Sequence, residues 1–290
     1  MGAAVASPAA SSAMQVRLLG RFVVAVEGRE IAPQDWGSHK AQQLVKLLAL
    51  APGHRLARDQ IIDALWPESD PEAVANTFYQ TIYYARRTLD PARRGYLITR
   101  QGIVALQHPG GVTIDLHTFQ EATARARRTT DPAALAEAVA LYSGELLPDD
   151  RYEDWSAAPR EAAQQTYLDT LHQLGHLQAA RGDTGAASAT FDRILALEPA
   201  HEETHLALMR LHAASGRRKQ ALNQFHLLRE ALRELNAAPD AASQQLYATI
   251  LAGAEAEETN EPPPSKGAQR HHNLPAPLTE LLGREAVVRN

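Results

Sequence analysis

The chain contains no cysteine. That excludes a disulfide framework, a thiolate metal site and a cysteine nucleophile, and it fits a reducing compartment. No apolar run approaches the roughly 18 residues that cross a bilayer, so no membrane partner is expected. The first 13 residues are rich in Ala and Ser but carry no Lys or Arg and no apolar core. They lack the parts of a secretory signal and are expected to form a floppy tail. No Gly-x-x-x-x-Gly-Lys-Ser/Thr loop occurs, so nothing here can cradle nucleotide phosphates in that way. What is present is 290 residues with 44% hydrophobic content, enough for more than one core, and two domains are expected.

The net charge of −5 hides an asymmetry. Residues 14–110 hold 12 Lys+Arg against 9 Asp+Glu, whereas residues 111–290 hold 17 against 25. A basic front and an acidic back point to one module that faces nucleic acid and another that does not.

A local absence sharpens this. Between Asn76 and Leu89 there is no carboxylate. At about 100° per residue, Val74, Phe78, Ile82, Ala85 and Leu89 form one stripe of a helix, with Asn76, Gln80, Tyr83 and Arg87 opposite and Tyr79, Tyr84 and Arg86 on the flanks. Asn and Gln can pair two-fold with adenine, Arg with guanine or a phosphate, and Tyr with a phosphate or a thymine methyl. The alternative is an ordinary solvated face.

The surrounding segments support the first reading. Residues 16–26 read as two short strands, Glu27-Gly28 as the turn that follows, and 29–36 as a continuation of the sheet. A helix follows, with Ser38 as N-cap and Pro52-Gly53 as its stop, then a second helix from Arg58 to Trp66 ended by Pro67. After the 76–89 stretch, residues 96–106 read as a hairpin with Gln101-Gly102 at its tip. Sheet, three helices and hairpin make a winged helix-turn-helix. Its third helix would enter the major groove, with Arg100, Thr99 and Gln101 of the hairpin at a phosphate or in the minor groove. Lys40 and Arg58, near the starts of the first two helices, are candidate backbone contacts.

From Asp115 to Leu251 the pattern is almost wholly helical. Gly182, Ala187 and Phe191 recur 34 residues later as Gly216, Ala221 and Phe225, the tetratricopeptide period. Two such units can bury each other's apolar faces, and helix-pair stacks of this kind bind proteins or self-associate. The expected fold class is thus mainly α: a winged helix with small antiparallel sheets, then an all-α helical-repeat domain. The expected division is 1–13 tail, 14–110 winged helix, 111–253 repeat domain, 254–273 disordered linker, and 274–290.

Asp63-Ala64-Leu65-Trp66-Pro67, Arg86-Arg87-Thr88-Leu89 and Leu97-Ile98-Thr99-Arg100 resemble the OmpR-type DNA-binding domain of Streptomyces antibiotic regulatory proteins. That family usually has Val-Ser-Arg-Leu-Arg where this chain has Ile82-Tyr83-Tyr84-Ala85-Arg86. Asp115, Phe119, residues 141–148, residues 152–155, His201-Glu202, Leu208-Met209-Arg210 and Glu234-Leu235 resemble the bacterial transcriptional activator domain that follows in those regulators. Asn273 to Glu285 is similar to the lead-in to the nucleotide-binding domain of STAND-class regulators, which implies a longer protein. The resemblance implies a cytoplasmic transcriptional activator of secondary metabolism that binds direct repeats in double-stranded promoter DNA as a homodimer. It also implies contact with RNA polymerase, the sigma subunit being one candidate.

His201-Glu202-Glu203-Thr204-His205 matches the H-E-x-x-H zinc-protease signature. A third ligand is needed, but Leu208 and Leu211 stand where the extended motif wants Gly and His, and the distant candidates Glu230 and Glu234 lie in a helix that the repeat already accounts for. The motif is read instead as the start of a repeat helix after Pro199, with acidic residues at its positive end. His172 and His176, at i and i+4, are read as a solvated or half-packed helix face. No catalytic residue, cofactor or metal ligand is assigned. A helical-repeat scaffold with a non-functional winged helix is the rival reading, and a zinc hydrolase the remote one.

Overall fold

Alternation of Met14 and Val16 with Gln15 and Arg17 gives β1 (Met14–Arg17) one buried and one exposed face. It pairs antiparallel with β2 (Val23–Val26), which pairs in turn with β3 (Arg29–Glu30). The sheet does not continue to Trp36. Pro33 opens a 3-10 turn over Pro33–Asp35, because proline has no N–H to give to a ladder. These and all other features come from a computed structural model that describes residues 14–258, Pro71 excepted. The tail 1–13, the segment 274–290 and most of the expected linker lie outside the described residues.

Helix α1 (His39–Leu50) buries Ala41, Leu44, Val45 and Leu48; Ser38 precedes it, but its side chain caps no N–H. After Pro52, β4 (Arg55–Ala57) leads into α2 (Arg58–Leu65), where the Gln60 side chain accepts from the Ala57 N–H at 2.9 Å. Helix α3 (Ala75–Leu89) follows, then the hairpin of β5 (Leu97–Arg100) and β6 (Ile103–Leu106). Gln101 and Gly102 at the tip both have positive φ, 49° and 75°, the conformation of a two-residue turn whose twist matches the strands. β4 adds to β6, so the wing is a three-stranded sheet of order β4-β6-β5. β7 (Val112–Ile114) returns to lie parallel to β1, completing the first sheet as β3-β2-β1-β7.

Seven helices follow: α4 (Asp115–Ala126), α5 (Pro132–Ala140), α6 (Asp154–Ala180), α7 (Thr184–Leu197), α8 (Glu202–Ala214), α9 (Arg218–Glu234) and α10 (Ala241–Glu258). The last continues through residue 258, past the start of the expected linker at 254. The repeat period appears in the backbone. Gly182 and Gly216 both adopt positive φ just after their helices, where the next N–H turns back to Gln178 and His212 respectively, at 3.0 and 2.9 Å. Each closes its helix with a Schellman-type end that needs a left-handed residue.

The winged-helix and helical parts share one core running from Met14 to Leu211. Asp115 accepts from the N–H groups of Leu18 and Leu19 at 2.8 and 3.0 Å, which fixes the end of β1 on the start of α4. The loop 143–150 docks on the same edge: Ser143 Oγ donates to Leu19 O, Gly20 N to Glu145 O, and Leu147 N to Leu18 O. Beneath it Lys46 Nζ of α1 meets Asp150 Oδ2 at 2.5 Å, with both side chains almost fully buried.

Candidate nucleic-acid interface

α3 is two-faced, as the spacing predicts. Phe78, Ile82, Ala85 and Leu89 are buried, while Asn76, Tyr79, Gln80, Tyr83, Arg86 and Arg87 are exposed. Tyr79 and Tyr83 leave 59% and 57% of their surface open, which is unusual for large aromatics and leaves them available for contact. Between α3 and the wing runs a groove lined by Tyr79, Tyr83, Arg86, Arg87, Thr99 and Arg100, with Asn76 and Gln80 on the exposed crest of the helix beside it and Gln101 at the hairpin tip.

The groove's lining is net positive, four arginines against one carboxylate, and that carboxylate is turned away from it. Asp90 turns into the loop and accepts the N–H groups of Arg94, Gly95 and Tyr96 at 2.6, 2.5 and 3.1 Å. Arg94 is likewise engaged, bonded to the Tyr96 hydroxyl and Glu27, and those two contacts raise its pKa further. Arg87, Arg93 and Arg100 form no ion pair among the described residues. Arg93 is an addition that the helix pattern could not supply, since it sits after the end of α3 at positive φ; the run Asp90-Pro91-Ala92-Arg93-Arg94 was the available signal.

Four of the expected contacts are committed inside the protein. Arg86 donates from Nε to Leu97 O at 2.8 Å and from a terminal nitrogen to Thr99 Oγ1 at 2.9 Å, so it splints the wing to α3. Lys40 donates to Leu65 O at 2.8 Å and lies against the Trp66 ring, satisfying a carbonyl at the end of α2. Tyr84 packs over Gly37, where even a methyl group would lie 2.6 Å from its ring. Arg58 pairs with Asp59 at 3.4 Å and sits over the Phe78 ring.

The H-E-x-x-H segment is structural. His201 caps α8, its Nδ1 accepting from the Thr204 N–H at 3.3 Å, and Glu202 accepts the Asp240 N–H at 2.6 Å. His205 is buried, with Nε2 against Pro199 O at 2.9 Å and Nδ1 against Gln224 Nε2 at 2.8 Å. Both ring nitrogens are thus occupied, and burial lowers its pKa.

Residues 36–103 match the C-terminal domain of transcriptional regulatory proteins, and residues 114–251 match the bacterial transcriptional activator domain. The two lie one after the other along this chain. The chain belongs to the Streptomyces antibiotic regulatory protein family. Members of this family regulate transcription. Among its relatives is the regulatory protein AfsR of Streptomyces coelicolor, 25% identical over 290 residues; the match takes in 96% of this chain but only 28% of that protein's length. The regulatory protein DnrI of Streptomyces peucetius is 26% identical over 254 residues, with 82% and 92% covered. In fold, the chain is similar to Mycobacterium tuberculosis EmbR, solved in complex with a low affinity phosphopeptide. The TM-score is 0.68 at 20% identity, over 85% of this chain and 68% of that one. No helix among the described residues is long and apolar enough to cross a membrane.

Proposed function

We propose that this family member is a sequence-specific activator that binds double-stranded promoter DNA through α3 and the wing. The observation that carries this reading is the groove itself: exposed tyrosine and arginine side chains on α3 line the same space as the wing arginine, with the Asn76 and Gln80 amides exposed on the crest beside it, and the nearby carboxylate is turned inward. α3 would lie in the major groove with Asn76, Gln80, Tyr83 and Arg87 at base edges. Tyr79, Arg93, Thr99, Arg100 and Gln101 would meet backbone or the adjoining minor groove. The helical repeats would hold a second protomer on direct repeats and contact RNA polymerase, its sigma subunit being the candidate surface, inside the cell and in control of secondary metabolism. A footprint on the DNA upstream of the protein's own gene cluster tests the reading. Protection of paired, evenly spaced sites is expected, and binding indifferent to sequence across a salt series would overturn it.

A further inference from the structure

The histidines that the H-E-x-x-H motif does not use lie beside it. His172 and His176 stand one turn apart on α6, and their Nε2 atoms approach to 3.2 Å. Glu203, in the first turn of α8, brings Oε1 to 3.6 Å from His172 Nε2, and one ligand atom from each residue lies within 4.8 Å of the others. Zinc takes imidazole nitrogen and carboxylate oxygen at about 2.0–2.2 Å, which in a tetrahedron places neighbouring ligand atoms about 3.4 Å apart. Two of the three separations already bracket that value. The rings are also held in place: Phe191, buried on α7, meets His176 edge-on at 5.3 Å and His172 at 6.2 Å between centroids.

We propose that His172, His176 and Glu203 bind one divalent transition-metal ion of the zinc class, which ties the hairpin of α8 and α9 to the hairpin of α6 and α7. The donor set is two imidazoles and a carboxylate, which suits zinc, copper, nickel or cobalt and is too poor in oxygen for calcium or magnesium. His176 and Glu203 are exposed, so the ion has an entry path and a fourth position for water. Binding requires both Nε2 lone pairs to face the ion, so each ring in the complex carries its proton on Nδ1. His201 and His205 take no part, since the one caps α8 and the other is saturated within the repeat.

The test is calorimetric titration of the untagged full chain, stripped with EDTA, with zinc chloride. One zinc per chain is expected, and His176→Asn and Glu203→Gln should each weaken binding about tenfold or more. Both side chains are exposed, so the metal-free variants should melt where the native chain does, which separates loss of a site from loss of fold. Cobalt(II) should give the intense visible band of four-coordinate metal in the native chain and lose it in His176→Asn. Absence of stoichiometric zinc, either variant binding as tightly as the native chain, or a weak six-coordinate cobalt spectrum would each overturn the site. None of these measurements involves DNA.

Discussion

Arg87 and Arg100 line one groove from opposite sides, and under the proposed DNA-binding reading their different supports predict different work. Arg87 stands on the crest of α3 with Asn76, Gln80 and Tyr83, so Arg87→Ala should cost about 1–3 kcal/mol on the preferred site and relax preference at one position. Arg100 flanks the hairpin tip, and Arg100→Ala should weaken all duplexes nearly alike and lower the salt slope by about one phosphate equivalent. Binding to specific and scrambled duplexes across a salt series checks both; equal losses for Arg87→Ala on the two duplexes would remove it from base readout. Arg86 acts on the groove from behind, since its bonds to Leu97 O and Thr99 set the wing's distance from α3. His205 predicts a pH effect. Burial, the largest influence on it, holds its pKa below 6.5, so the unfolded chain takes up a proton more readily than the folded one. Its contribution to stability is complete above about pH 6.5 and shrinks as pH falls below it. Thermal midpoints at about pH 7.5 and about pH 5.5 should therefore lie farther apart in the native chain than in His205→Asn, whose amide can still bond but does not titrate. The same difference in both proteins would show that His205 does not carry the effect.

Among the elements, α6 and α7 are closely fitted. Gly175 admits the Phe191 ring where a methyl carbon would come within 2.6 Å of it. Gly175→Ala should cost about 1–3 kcal/mol by overpacking, read as a lowered midpoint in denaturant with an unchanged slope. At position 209, 34 residues on, the second unit has a buried Met instead, and Phe225 stacks on Tyr247 at 4.4 Å. The glycines, the alanines and the phenylalanines made this repeat legible, and the apolar stripe and carboxylate gap made α3 legible, because each is a short-range pattern. The Gln101-Gly102 turn likewise marked the wing. What stayed hidden has no local periodicity. β4 is only three residues long, and its partner β6 lies far along the chain. Lys40, read as a basic helix start, serves a carbonyl 25 residues away, and Tyr84, read as a flank of the interface, covers Gly37. The Ser38 cap failed because a cap requires a side-chain bond and not only a residue type.

At the scale of the whole molecule, the charge asymmetry marks two modules, but the packing joins them. β7 pairs with β1, Asp115 holds the Leu18 and Leu19 N–H groups, and Lys46 pairs with Asp150 across 104 residues of sequence. A chain ended at Gly110 would lose all three and leave Lys46 without its partner, so it is expected to be markedly less stable than the same residues within the whole. Asp150→Asn, which removes only the charge, should cost about 3–5 kcal/mol. Because the core is continuous, calorimetry on the full chain should show the winged helix and first repeat melting in one transition; two well-separated transitions would show them independent. A rigid joint of this kind also has a consequence on a promoter. With α3 in the major groove as proposed, the shared core keeps the repeat domain from swinging about the DNA axis, so its angular position would be set by where α3 sits. Moving the binding site by about half a helical turn, some 5 base pairs, should carry the repeats to the far side of the duplex and silence transcription, whereas a shift of about 10 base pairs should restore the face and with it part of the activity.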